Sequence, residues 1–246
     1  MLLNNLKFIR SNGSLKHSVR FISLQTMTTP SENAMKFVAT GHRFLPTGVT
    51  QAVEIENLVD AANKSPLAEE LYKVNGVKSL LIGPNFITVN KVNNDLSNNS
   101  DLDWKHLQPL LTEKISKLMD DKMSVLRTDY MDKFQKELDA LNENDDDIVY
   151  EIKELINTRI RPALQDDGGD VHFRSFDESN GIVYIKLKGA CSSCSLSEET
   201  LKGGIEGMLK HYVPEVEEVR AVLDPEEEIA IQEFEKFEKK LKQNKA

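Results

Sequence analysis

At 246 residues the chain has room for one large domain or two small ones, and 39% hydrophobic with 29% charged residues is ordinary for a globular protein in water. No apolar run approaches the roughly 20 residues of a membrane-spanning helix, which excludes membrane insertion. A formal charge of −9, from 31 basic against 40 acidic residues, argues against a broad phosphate-binding surface and so against nucleic acid as a partner. Cys191 and Cys194 are the only cysteines, too few for a disulfide framework, and they are spaced C-x-x-C.

Residues 1–30 contain Lys7, Arg10, Lys16 and Arg20 and no acidic residue, the first being Glu32. Leu2, Leu3, Leu6 and Ile9 recur at helical spacing, and Ser11, Ser14, Ser18, Ser23, Thr26, Thr28 and Thr29 follow. An amphipathic, basic, hydroxyl-rich leader reads as a mitochondrial transit peptide, with a disordered basic arm as the alternative. Removal is expected near residues 20 to 30, in the context Arg20-Phe21-Ile22-Ser23.

Met35-Lys36-Phe37-Val38 reads as a strand. Ser65-Pro66 before Leu67-Ala68-Glu69-Glu70-Leu71 reads as a helix N-cap with Pro at the first helical position, and Asn75-Gly76 as the stop. Val77–Ile82 and Phe86–Val92 form two strands about the turn Gly83-Pro84-Asn85. Asp103 is placed to cap a helix carrying Trp104, Leu107, Leu111, Ile115 and Leu118. These elements make a first small α+β domain over 33–123.

Met123, Leu126, Tyr130, Phe134, Leu138 and Leu141 then follow i, i+3/i+4 spacing, before the acidic stretch 142–147. The spacing predicts an interdomain helix and a hinge over 124–147, with the two domains moving independently across it. A second domain spans 148–224. Asp147 is expected to cap a helix through Ile148, Ile152, Leu155, Ile156 and Ile160 that ends near Arg161-Pro162. Val171–Phe176 and Ile182–Lys188 form a hairpin about Glu178-Ser179-Asn180-Gly181, with Val183, Ile185 and Leu187 on one face. Leu201, Ile205, Met208, Leu209 and Tyr212 mark a helix, Val216–Leu223 a last strand, and residues 225–246 a solvated charged tail.

The thiols fall between a strand and a helix start, where free N–H groups and the helix dipole lower a thiol pKa and favour an anionic metal–thiolate centre. Redox disulfide, zinc and iron–sulfur chemistry all remain open on this ground. Two buried inert cysteines are the least favoured reading, because Gly189, Ala190, Ser192, Ser193 and Ser195 suggest an exposed loop. Pairing across the hairpin sets Gly169 and Asp170 opposite Gly189 and Ala190, so the loop Asp166-Asp167-Gly168-Gly169-Asp170 meets the cysteine loop at one end of the sheet. Of His17, His42, His106, His172 and His211, the last lies roughly 22 Å along the helix from the thiols. His172, expected near Lys188 and facing solvent, would raise the ligand count only to three. One chain therefore does not complete a tetrahedral zinc or cluster site from this domain. A thioredoxin-type redox role fits the strand, C-x-x-C, helix order, but here the motif follows an antiparallel hairpin rather than an early parallel strand.

The runs Leu164-Gln165-Asp166-Asp167-Gly168-Gly169-Asp170-Val171, Leu187-Lys188-Gly189-Ala190-Cys191-Ser192-Ser193-Cys194 and Thr200-Leu201-Lys202-Gly203-Gly204-Ile205-Glu206, with Pro214-Glu215-Val216, closely resemble the C-terminal domain of NifU, the Nfu iron–sulfur scaffold family. Met35-Lys36-Phe37, Ser65-Pro66-Leu67-Ala68, Gly76-Val77, Gly83-Pro84-Asn85-Phe86-Ile87-Thr88-Val89 and Asp103-Trp104 resemble the Nfu N-terminal domain. The resemblance implies two small α+β domains joined by a helical and acidic linker, the second of αββαβ order. It implies a carrier in the mitochondrial matrix, not an enzyme, that binds a [4Fe–4S] cluster (or a [2Fe–2S] cluster) through Cys191 and Cys194. Four thiolates per [4Fe–4S] cluster against two per chain imply a homodimer formed on cluster binding. Partners implied are upstream cluster-assembly donors and apo iron–sulfur proteins such as lipoyl synthase and aconitase-type enzymes. A thiol–disulfide oxidoreductase using the same two cysteines is the alternative, and a zinc-bridged dimer a third reading. The chain departs from the family pattern at Ser195, where Pro is usual, and at Glu198, which adds negative charge near a cluster; the 123–141 segment has no counterpart in the resemblance.

Overall fold

The computed structural model describes residues 23–93, 102–143, 146–192 and 195–223. The leader before residue 23, hinge residues Asn144 and Asp145, Cys194 and the charged tail lie outside the described residues.

Five strands, β1 (Ser23–Thr28), β2 (Ala34–Thr40), β3 (Val53–Ile55), β4 (Val77–Ile82) and β5 (Phe86–Lys91), form an antiparallel sheet in the order β1–β2–β5–β4–β3. Side chains alternate across the pleat. Met35, Phe37, Val53, Ile55, Leu80, Ile82, Ile87 and Val89 enter one core. The residues between them, Lys36, Val38, Glu54, Leu81, Phe86, Thr88 and Asn90, form the opposite face. Every residue of β5 is buried, so both faces of the sheet are covered at its centre.

Three helices, α1 (Leu58–Lys64), α2 (Pro66–Tyr72) and α3 (Trp104–Asp120), close the first face with Ala61, Leu67, Leu71, Leu107, Leu111 and Ile115. Ser65 caps α2 as its position predicts, its hydroxyl accepting from the Ala68 N–H at 3.0 Å, with Pro66 entering the first turn. Asp103 stands at the start of α3 but makes no side-chain cap bond.

Two boundaries differ from the sequence reading. Ser23–Thr28, assigned there to the leader, is an edge strand paired from Ser23↔Thr40 to Thr28↔Met35. Gln108 donates to the Thr26 hydroxyl at 2.7 Å, so the same hydroxyl residues that look like a transit peptide serve a strand. The segment assigned to an interdomain helix belongs to the first core: α4 (Thr128–Glu143) starts after Arg127, and Leu126 and Phe134 are buried with that core. Tyr130 stacks on Phe134 at 5.9 Å, and the Arg127 guanidinium donates to the Ala62 carbonyl at 2.6 Å and to Glu69 at 2.8 Å.

The second domain runs α5 (Asp147–Leu155), α6 (Arg161–Asp166), β6 (Gly169–Asp177), β7 (Ile182–Gly189), α7 (Ser195–Tyr212) and β8 (Glu218–Ala221). Asp146, not Asp147, caps α5 by accepting from the Val149 N–H at 2.9 Å. The helix does not end at Arg161-Pro162. A π turn over Ile156–Ile160 accommodates the proline, which lacks an N–H, and α6 continues to Asp166. The sheet order is β6–β7–β8, antiparallel then parallel, and Val183, Ile185 and Leu187 enter its core as the alternation predicts. Gly169 pairs with Gly189 and Asp170 with Lys188. An irregularity between Phe173 and Ser175 gives β6 one extra residue and shifts the register by one, and His172 pairs with Lys186 rather than near Lys188 as expected.

The two domains, expected to move independently, are docked against each other in this structure. Ala52, Leu81 and Phe86, with Val38, form a small apolar cluster on the outer face of the first sheet, and the β6 and β7 ends that carry the glycine loops lie against that face.

Candidate metal centre

Cys191 lies in a short 3-10 turn, Ala190–Ser192, between β7 and α7. The loop that leaves α6 reaches the same end of the sheet: the Ala190 N–H donates to the Gly168 carbonyl at 3.3 Å, and Gly169 pairs with Gly189. Both readings of the glycines hold together. Gly168, at φ +82°, turns the chain out of α6, while Gly169 permits close approach, since a Cβ there would sit 2.1 Å from Cys191 Sγ.

The loop is not exposed in the way its small residues suggest. Cys191 is 6% accessible and belongs to the apolar cluster of the second domain. Burial pushes its thiol up to about 12, and Asp167 and Asp170 add to the effect. Desolvation and the two carboxylates act against the lowering expected from the α7 dipole. Cys194 lies outside the described residues.

A buried ion pair braces the glycine loop. Asp170 is fully buried and accepts from Arg161 Nε at 2.8 Å, from its neighbour Val171 N–H at 2.7 Å and, across the domain boundary, from the Ala52 N–H at 2.6 Å. The Arg161 guanidinium also donates to the Val171 carbonyl at 2.9 Å and to the Asn157 side chain. A second set of charges crosses between the domains: Lys186 Nζ lies 2.9 Å from Glu56 and 3.6 Å from Glu54. Glu54 also accepts from the Gly189 N–H at 3.3 Å. Burial raises the Glu54 carboxyl against the pull of Lys188 and Lys186, and burial lowers the Lys188 ammonium.

His172 does not face solvent. It is half-buried, and its ring Nδ1 meets Gln51 of the first domain. His42 packs edge-on against Phe44 at 5.3 Å, in the first domain. Among the described residues no group of three or more His, Cys, Asp or Glu side chains is arranged to hold a metal ion.

Sequence reasoning missed Arg161, Glu54, Glu56 and the second role of Asp170. The signal available for the first-domain pair was strand alternation, which sets Glu54 between Val53 and Ile55 and so on the outer face. Nothing local identifies its partner, 132 residues away at Lys186.

The architecture is that of two docked α+β domains with a thiol-bearing turn held between glycine loops. Residues 152–220 match the NifU-like domain and residues 24–122 match the N-terminal domain of scaffold protein Nfu/NifU. The mitochondrial NifU-like protein of Saccharomyces cerevisiae is 40% identical, over 93% of this chain and 91% of its own length. A NifU-like protein of Schizosaccharomyces pombe is 44% identical, over 93% and 83% respectively. The human protein named NFU1 iron-sulfur cluster scaffold homolog, mitochondrial, is 40% identical, over 85% and 76%. The chain belongs to the NifU-like (Nfu) family, a family of scaffold proteins rather than enzymes.

Proposed function

We propose that this protein is an iron–sulfur cluster carrier that holds a [4Fe–4S] cluster through Cys191 and Cys194, shared between two copies of the chain, and hands it to apo-proteins of the mitochondrial matrix. Lipoyl synthase and aconitase-type enzymes are the recipients proposed. The observation that supports the reading most is the placement of Cys191, at the junction of two glycine loops where the backbone closes directly on the sulfur. The relatives' names agree with an iron–sulfur and mitochondrial role. A [4Fe–4S] cluster usually takes four thiolates, and this chain brings two. A two-fold arrangement supplies the other two symmetrically.

The cluster is cargo in this account. The chain's own residues position the ligand: Asp170 and Arg161 fix the strand start that carries Gly169, and Gly169 leaves room for the sulfur. The other chemistry the motif leaves open, dithiol oxidoreduction, needs a reactive thiolate near neutral pH, and burial raises the Cys191 thiol, which disfavours Cys191 as the attacking group.

Cys191→Ser and Cys194→Ser test the ligand assignment. After anaerobic reconstitution with iron and sulfide, each variant is expected to lose the visible chromophore on gel filtration, because each removes one ligand from both subunits. An intact, stoichiometric cluster in either variant contradicts the assignment.

A further inference from the structure

We propose that the first domain is a releasable cap on the cysteine loop: docked, its outer sheet face clamps both glycine loops shut over Cys191, and a second copy of this chain reaches that cysteine only after the face lets go. The inference rests on the proposed cluster reading for its purpose, though not for its geometry.

The clamp acts at two backbone points. At Gly168 an added Cβ would stand 3.0 Å from both Thr29 Cγ2 and Thr88 Oγ1. At Gly189, two residues before Cys191, it would stand 2.5 Å from Leu81 Cδ2. The first domain therefore presses on the chain on both sides of the Gly169–Cys191 contact. Polar bonds fasten it: Lys36 Nζ donates to the Asp166 carbonyl at 3.2 Å, and Gln165 donates to the Thr50 carbonyl at 2.7 Å. The Ala52–Asp170 and Lys186–Glu56 contacts lie beside them.

The same face is built for release. It sets Lys36, Glu54, Thr88 and Asn90 among only a few apolar side chains. Among the described residues Thr88 Oγ1 and Asn90 Oδ1 are buried without a hydrogen-bond partner, so docking costs both atoms bonds that water returns on opening. A cavity of about 240 Å³ separates Asn90 and Ser79 of the first domain from Ser192, inside the C-x-x-C motif itself. Polar, incompletely packed contacts between domains of one chain resemble transient interfaces rather than a core. An isologous cluster requires the cysteine loops of two chains to face each other, and the first domain occupies one side of that loop.

The test uses the full-length apo chain carrying Cys194→Ser, so that Cys191 is the single thiol. Its alkylation by iodoacetamide is followed by mass spectrometry. Adding Glu54→Lys, which sets a third ammonium against Lys186 and Lys188, is expected to speed alkylation by about tenfold or more. The charge swap Glu54→Lys with Lys186→Glu is expected to slow it again. Equal rates in all three chains overturn the cap. A wild-type readout stands beside these if a variant fails to fold: the Ala52 and Gly189 amides are expected to be protected from hydrogen exchange in the apo chain and exposed in the cluster-loaded one. Fast exchange of those amides in the apo chain, or undiminished protection in the loaded one, overturns the cap. If reconstitution yields no cluster, the carrier reading fails, while alkylation and apo exchange still decide the docking.

Discussion

On one face of the first sheet Phe37, Leu80, Ile82, Ile87 and Val89 meet apolar side chains from the helices, whereas the other face places Lys36, Glu54, Thr88 and Asn90 around Val38, Leu81 and Phe86. Both faces are buried, but by different means. The first excludes water with hydrocarbon, and opening it would unfold the domain. The second excludes water with another domain through hydrogen bonds and ion pairs, for which water is a ready substitute. Burial alone therefore does not distinguish a core from a contact that can open; the chemistry of the buried groups does.

Substitutions can sharpen that contrast. The largest effect is expected at the hydrocarbon face, where Phe37→Ala should cost about 3–5 kcal/mol of first-domain stability in urea unfolding. An equal loss from Leu81→Ala on the opposite face would erase the distinction. A slightly smaller effect is expected at the buried pair in the second domain. Asp170→Asn leaves the Arg161 guanidinium buried without its counter-charge and should cost about 3 kcal/mol, read as a lower urea midpoint of the second domain. An unchanged midpoint would show that the guanidinium is satisfied by its carbonyl and amide partners alone.

The smallest effect is a pH dependence in the first domain. Burial, with a smaller contribution from Glu137 and Asp60, raises the Tyr130 phenol from 10.0 to about 12. A phenol whose folded pKa is raised keeps its full contribution below the unfolded value and loses it as pH climbs through the folded one. First-domain stability should therefore fall between pH 10 and about 12. Ultraviolet titration should show two late-ionising tyrosines, since burial raises the Tyr72 phenol as well, and Tyr130→Phe should remove one of them. Ionisation of all tyrosines together near pH 10 would place α4 away from the core.

Elements fixed by local chemistry were legible in the sequence. Ser65 and Pro66 mark a helix start because a cap and a proline act within one turn, and the Gly83-Pro84-Asn85 turn and the strands beside it follow for the same reason. The meeting of the two glycine loops was also readable, since an antiparallel hairpin fixes which ends lie together. β1 was not, because an edge strand needs few apolar residues and Ser, Thr and Leu in alternation suit a leader as well. The stripe Tyr130, Phe134, Leu138 gave helix α4 but not its destination, since an apolar face specifies burial and not the surface that buries it. Cys191 looked exposed because its small neighbours were read as a loop, whereas Gly169, on the strand opposite, lets backbone close over the sulfur. The contacts from Glu54, Glu56 and Ala52 to the second domain lie more than 100 residues apart in sequence, beyond any local rule.

In the proposed function each chain supplies two thiolates to a cluster held between two copies. Iron and sulfide analysis of the anaerobically reconstituted wild-type chain, with light scattering on the coloured species as it elutes from gel filtration and its Mössbauer spectrum, tests it most directly. A coloured dimer carrying about four iron and four sulfide per two chains, with the signature of a [4Fe–4S] cluster, is expected. A coloured monomer holding a complete cluster without added thiol would contradict it.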